Sequence, residues 1–321
     1  MIGYLVRRLG WAVVLFFVLT MVTYIIFFVI PADPALELCS RRCSAAEYER
    51  IERYWNLDRP VPVQYLMFVE RLVVHQSLGR SFRTRRDVND VVGDAAPVTA
   101  SLIGGAALMW LLVAFPVGVL SALRPRTLLD RASMVFVLIG ISAHPAWIGL
   151  IFSYFFGFKL GWFPALGYCD MINPSTNCGG PVQWAYHLLL PWLSFALLFC
   201  ALYVRMIRAS VLEAMQEDYV RTARAKGATE YGVMRSHVLR NAMLPIVTML
   251  AMDLGVLLGG AIFTEAVFGL PGLGRVAFQA LNNLDLPMIQ GVVVFTALCV
   301  LAFNLVVDLF YALVDPRIRL R

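Results

Sequence analysis

The chain has 321 residues, of which 60% are hydrophobic and only 15% charged, and its mean hydropathy is +0.73. Soluble domains carry roughly 25% charged residues, so composition excludes an ordinary water-soluble enzyme, a disordered chain and collagen-like or disulfide-dense scaffolds, and leaves an integral membrane protein. The net charge of +6 comes almost wholly from arginine, Lys159 and Lys226 being the only lysines, and it is spread between apolar runs where a nucleic-acid binder would gather it in one patch.

The first apolar run, Leu9 to Ile30, is charge-free and 22 residues long. A bilayer core takes about 20 apolar residues per helix. Arg7 and Arg8 would suit a signal peptide, but the run exceeds the usual apolar region of about 7–15 residues. Pro31-Ala32-Asp33-Pro34 is also a poor cleavage site, so the run reads as a retained helix.

Residues 31–94 follow as a polar segment, small for an independent core. Ser44-Ala45-Ala46-Glu47 is a capping box that opens a helix toward Trp55. Pro62 to His75 is a second helical stretch, apolar around most of its circumference, with Glu70 and Arg71 as its wet part. That pattern suits a helix lying on the ends of membrane helices, and it is compatible with a docking surface for an external protein.

Ala95 to Leu123 is a second charge-free run, and Ala132 to Phe158 a third with only His144 ionisable. Ser142 reads as a hydrogen-bonding residue beside a kink at Pro145. A serine-protease reading of Gly140-Ile141-Ser142-Ala143 fails because the closing glycine is absent, His144 abuts Pro145 and His187 lies near a helix end. Cys169 and Cys178 bracket the next loop, and Val182 to Val204 is the fourth run.

Arg205 to Arg240 is the informative polar segment. Propensities favour a helix through Lys226, with Gly227 as its C-terminal stop and Thr229 as the next N-cap. Two helices with a glycine corner make a compact projection, and small alanine faces there would let another protein's backbone come close. Asn241 to Thr264 is the fifth run and holds one acid, Asp253, which at mid-helix calls for a wet pathway, a partner within the bundle, or protonation in a packed interface. Glu265 and Asp308 sit near helix ends, within reach of water. Leu286 to Val307 is the sixth run.

Orientation follows from arginine and lysine in short loops. With the N-terminus inside, the inner pieces hold fifteen basic residues and the short outer loops only Lys159 and Arg275. Both termini and the 205–240 loop are then cytoplasmic. Cys39, Cys43, Cys169 and Cys178 all fall outside, where thiols oxidise. Cys169 with Cys178 and Cys39 with Cys43 are disulfide candidates, crossed pairing is equally allowed, and a zinc site from the four is an alternative without a histidine at matching spacing. The result is an all-α membrane protein: an N-terminal transmembrane helix (1–30), a small extracytoplasmic domain (31–94), and a permease core (95–321) with six membrane helices in all.

An energy source is missing from the chain. Lys159 is followed by Leu and Lys226 by Gly, so no phosphate-binding loop of the G-x-x-x-x-G-K-[ST] kind exists.

Several long motifs, in order along most of the chain, resemble the membrane subunits of ATP-binding-cassette importers. They are Asn56-Leu57-Asp58-Arg59-Pro60 with Gln64-Tyr65, and Leu160-Gly161-Trp162-Phe163-Pro164. The inner segment supplies Asp218-Tyr219-Val220-Arg221-Thr222-Ala223-Arg224-Ala225-Lys226-Gly227, then Leu239-Arg240-Asn241-Ala242 and Leu244-Pro245. Gly269-Leu270-Pro271-Gly272-Leu273-Gly274-Arg275 and the ending from Val307 to Arg317 complete the set. The likeness is greatest to the first permease subunit of dipeptide, oligopeptide or nickel importers. The general loop motif of the family begins Glu-Ala-Ala where this chain has Arg221-Thr222-Ala223, a feature of the peptide branch. The four outer cysteines are not part of the family pattern.

The resemblance implies a multi-pass permease of the bacterial inner membrane, not an enzyme, binding no cofactor itself, with ATP and magnesium held by two partner ATPase subunits. It further implies a second permease subunit, an extracytoplasmic binding protein that delivers peptide, and no nucleic acid. Tyr219, Arg221, Thr222, Ala223, Arg224, Ala225, Lys226, Gly227, Ala228 and Tyr231 would couple to an ATPase. Asp253 would line the path or join a bundle polar contact, and Gly269, Pro271, Gly272 and Gly274 would shape an outer loop. Pro116, Pro145, Gly104-Gly105 and Gly259-Gly260 permit bends and close helix contacts. Nickel or another small cargo, and more remotely a secondary transporter or channel, are the competing readings.

Overall fold

A computed structural model describes residues 2–26, 44–54, 58–142, 144–171, 178–258 and 261–314. Cys39, Cys43, Asn56-Leu57, Gly259-Gly260 and the tail from Asp315 lie outside the described residues. The described chain is helical, with only two isolated β-bridges. In chain order the helices are α1 (Ile2–Tyr24), α2 (Ala45–Tyr54), α3 (Val61–Val73), α4 (Val88–Leu123), α5 (Leu128–Ser142) and α6 (Pro145–Phe152), which continues as a π-helical turn over Ser153–Lys159. Then come α7 (Pro181–Gln216), α8 (Asp218–Ala225), α9 (Glu230–Val233), a π-helical turn (Met234–Val238), α10 (Leu239–Leu257), α11 (Ile262–Phe268), α12 (Leu273–Asn282) and α13 (Leu286–Val314).

Five of these helical stretches are long and apolar enough to cross a bilayer, and α5 with α6 makes a sixth span if the bent pair is counted as one. The third apolar run is therefore not one straight helix. It turns by 96° between Ser142 and Pro145, and α6 opens with Pro145 in its first turn, where proline forfeits no intrahelical hydrogen bond. The His144 side chain caps the new start by accepting from the Ala146 N–H at 3.2 Å. Ser142 Oγ donates to the Leu138 carbonyl at 2.8 Å, as its place beside the kink suggests. The fifth run also divides: α10 ends at Leu257 and α11 is a separate short helix. α4 begins at Val88 rather than Ala95, so the polar segment gives its last residues to a membrane-length helix.

α4 and α7 form the spine. They run in the same direction, since Trp192 Nε1 donates to the Ser101 carbonyl at 3.0 Å near one end, while Gly118 lies against Ile207 near the other. A Cβ on Gly105 would stand 2.0 Å from the Trp192 ring, so the missing side chain makes room for that ring between the two helices. Gly104, by contrast, faces open space. Trp110 is fully buried and stacks on Phe199, ring centroids 4.7 Å apart.

The described part of the segment before α4 packs onto the bundle. Phe68 of α3 is buried with Tyr24 of α1 and Val294 of α13, and Tyr65 Oη donates to the Phe17 carbonyl at 3.0 Å. Further along, the buried Asp285 carboxylate accepts from Ser81 Oγ and, at 3.0 Å, from the Phe82 N–H, which ties the chain ahead of α4 to the α12–α13 turn.

Candidate functional site

At the end of α7 the helix stops at Gln216, and Glu217 adopts extended backbone (φ −69°, ψ 147°) before α8 starts. One continuous helix through Lys226, the simplest propensity reading, is thus broken in two. The break lets Val220 and Ala223 turn back and bury against the core, at 0% and 9% exposure. α8 ends in a Schellman motif. The Ala228 N–H donates to the Ala223 carbonyl at 3.2 Å and the Gly227 N–H to the Arg224 carbonyl at 2.9 Å. Gly227 sits at φ +80° with nothing near its missing side chain, so backbone conformation and not crowding demands glycine there.

Across the corner, Thr229 Oγ1 caps α9 by accepting from the Gly232 N–H at 3.3 Å. Arg224 forks onto Glu230 with bonds of 2.9 and 3.1 Å, a bidentate pair that holds the arms of the elbow together. Arg221, Thr222, Ala225, Lys226, Gly227, Ala228 and Tyr231 are exposed, and Tyr219 borders a cleft of about 330 Å³ between the ends of α7 and α10. Ala223 is the exception among the small residues. It faces this chain's own core and offers no surface to a partner.

A buried ion pair stands directly above the elbow. Asp130, 5% exposed on α5, accepts from Arg208 of α7 through Nε at 2.6 Å and Nη2 at 3.0 Å. The Arg126 N–H at 2.9 Å and Ser121 Oγ, at the end of α4, complete its shell. One carboxylate therefore joins three helices just before α7 leaves the bundle.

At the opposite end of the bundle, Glu265 on α11 is fully buried. It accepts from Thr99 Oγ1 at 2.7 Å and from the Arg275 N–H at 3.0 Å, at the start of α12. Thr99 Oγ1 in turn accepts from the Leu273 N–H at 2.8 Å. A carboxylate at a helix N-terminus satisfies orphan N–H groups and meets the positive end of the dipole. Burial pushes the Glu265 carboxyl above its ordinary range, against these hydrogen bonds, which pull it down. The glycines of this loop are spaced for that carboxylate. A Cβ on Gly272 would lie 2.4 Å from it, and one on Gly274 would lie 2.7 Å from the Ile262 backbone. Arg275 Nη1 donates to the Gly269 carbonyl at 2.9 Å and closes the loop. Nearby, the Gly167 N–H donates to the Phe268 carbonyl at 3.0 Å, and Cys169 pairs with Cys178 as a disulfide with Cα atoms 5.2 Å apart.

The profile of the family described as "Binding-protein-dependent transport system inner membrane component" matches residues 114–320, and its N-terminal companion matches residues 1–103. The chain belongs to this family. The permease is 33% identical over 319 residues to a putative peptide transport system permease protein of Brucella abortus, covering 99% of both chains. It is 32% identical to a dipeptide transport system permease of Alkalihalophilus pseudofirmus, covering 99% of this chain and 100% of that one. A di/tripeptide transport system permease of Pseudomonas aeruginosa is 34% identical, with 99% of each covered. Among solved structures, an inward-facing MetNI methionine ABC transporter shares the fold, with a TM-score of 0.52 and 18% identity over 70% of this chain and 96% of that one. The permease is thus a non-catalytic inner-membrane transport subunit of a binding-protein-dependent ABC importer, and ATP is bound on separate ATPase subunits.

Within the permease, two residues lie differently from the expectation drawn from sequence. Glu265 does not reach water from a helix end but is buried beneath α12. The sequence places no histidine at zinc-site spacing from the cysteines, yet His187 Nδ1 comes within 3.2 Å of Cys169 Sγ. Asp253 finds a partner in the bundle, accepting from Tyr203 Oη at 2.8 Å. Asp130, Asp285 and Thr99 carried no local motif. Their one sequence signal is a short polar residue in an apolar helix or tight turn, which only spatial partners convert into a site.

Proposed function

We propose that the permease serves an importer of di- or oligopeptides, forms half of the translocation path beside a second permease subunit, and is driven by an ATPase docked on the 205–240 elbow. In this reading both termini and the elbow are cytoplasmic, while the Glu265 loop and the Cys169–Cys178 bridge face outward toward the binding protein. The carrying observation is the elbow itself: an exposed corner whose shape is fixed by the Schellman turn, the Thr229 cap and the Arg224–Glu230 fork. A mere topogenic loop would need positive charge but none of these devices.

The Asp130–Arg208 pair gives that corner a stiff mount. Motion imposed on the elbow passes into α7 and, through one carboxylate, to α4 and α5 together. Nucleotide-driven closure of the ATPases would then shift the helices between outward- and inward-facing populations. Full-length likeness to dipeptide and di/tripeptide permeases favours peptide as cargo.

Proteoliposomes holding the whole transporter test this reading. ATP-dependent uptake of a labelled dipeptide, with crosslinking of Ala225→Cys to the ATPase, is the expected result. Uptake of nickel but not of peptide would overturn the cargo. Flux by the purified permease without ATPases would overturn the coupling.

A further inference from the structure

Three side chains converge at the end of the bundle away from the elbow. The ligand atoms of Cys169, Cys178 and His187 all lie within 4.8 Å of one another. Cys169 is 1% exposed, and the other two are half-buried. The site is held by backbone as well as by sulfur. Asp170 and Gly179, next to the two cysteines, form a β-bridge, and the Gly180 N–H donates to the Asp170 carbonyl at 3.2 Å.

The histidine is set for a metal. Its Nδ1 lies 2.9 Å from the Gln183 carbonyl, and a carbonyl only accepts, so Nδ1 carries the proton and the lone pair is on Nε2. Metal-binding histidines are oriented by this kind of second hydrogen bond. Cys169 Sγ lies 3.2 Å from Nδ1 and 3.6 Å from Nε2, beside the ring in the disulfide form, so it has to swing toward the Nε2 lone pair when the bond opens.

We propose that the pair is a redox-gated zinc-class site: a disulfide staple when oxidised, and a Cys169–Cys178–His187 site for a thiophilic divalent cation when reduced. A dithiol reductant supplies two electrons and two protons, becoming a disulfide itself and leaving two thiols on the permease. Zinc then displaces both thiol protons to solvent and forms two Zn–S bonds and one Zn–N bond. Two thiolates balance its charge, and the fourth position stays open to water or an external ligand. The sulfurs must part to about 3.8 Å, the separation two thiolates keep on one tetrahedral ion.

The test uses the assembled transporter in detergent, incubated with zinc after dithiol treatment and freed of excess reagent. Bound zinc by elemental analysis should be about one ion per permease higher in the reduced wild type than in the oxidised form, His187→Ala or Cys178→Ser. Cobalt in place of zinc should give thiolate-to-metal absorption only in the reduced wild type. Monodisperse elution and ATP-driven uptake by His187→Ala show that the fold is intact. Equal zinc in all four samples, or none in the reduced wild type, would overturn the site without touching the transport reading.

Discussion

Glu265 shows what one residue is asked to do. A carboxyl with no exposed surface receives a hydroxyl and backbone N–H groups at the start of α12. Because burial raises its folded-state pKa above the unfolded value, the protonated form is favoured by folding. Its contribution is therefore present in full below the unfolded pKa and fades as pH rises through the raised one. Thermal unfolding of the purified permease should lose stability over that window, and Glu265→Gln should flatten the difference. Gly272→Ala drives a methyl into the same carboxylate and should lower the melting temperature at every pH, as overpacking typically costs about 1–3 kcal/mol. A Gly272→Ala protein as stable as wild type would show that the loop is not built around Glu265. The Gly-Leu-Pro-Gly-Leu-Gly run was legible as a shaped loop from sequence, but the acid that shapes it was not, since nothing local distinguishes a buried helix-end carboxylate from one in water.

At the scale of elements, the elbow and its mount give separable expectations. Gly227→Ala puts a Cβ at φ +80°, a penalty of about 1–2 kcal/mol borne by the corner alone. ATP-driven uptake should fall severalfold while insertion and the melting temperature of the bundle stay near wild type, measured by transport at matched abundance. Asp130→Asn acts on the mount. It leaves Arg208 without its ionic partner in a largely buried place, a loss of about 3 kcal/mol. Melting temperature and uptake should fall together, and the exchange Asp130→Arg with Arg208→Asp should recover part of both. Full uptake by Asp130→Asn would remove the pair from the coupling route. The caps and the glycine stop of the elbow could be read from sequence because they are local. The break at Glu217 and the inward turn of Ala223 could not, because they follow from burial of Val220 and Ala223 against α7 and the turn before α10.

For the whole molecule, orientation is the testable consequence of the arginine bias. In intact cells an impermeant thiol reagent should label Leu166→Cys above the parent chain and should leave Ala225→Cys unlabelled until the membrane is opened. The reverse pattern would invert the topology and with it the coupling role. Apolar runs of bilayer length, arginine placement and ordered motifs determined that this chain is a multi-pass helical permease, since each is a one-dimensional signal set by solvent and by neighbours in sequence. Tertiary structure alone decided that α4 and α7 lie parallel across Gly105 and Trp192, and that Asp130 meets Arg208. It also decided that Glu265 is capped by α12 and that His187 stands over a cysteine pair. These are contacts between residues far apart in the chain, and polar groups inside a bundle are specified by the partners that satisfy them, not by the residues beside them.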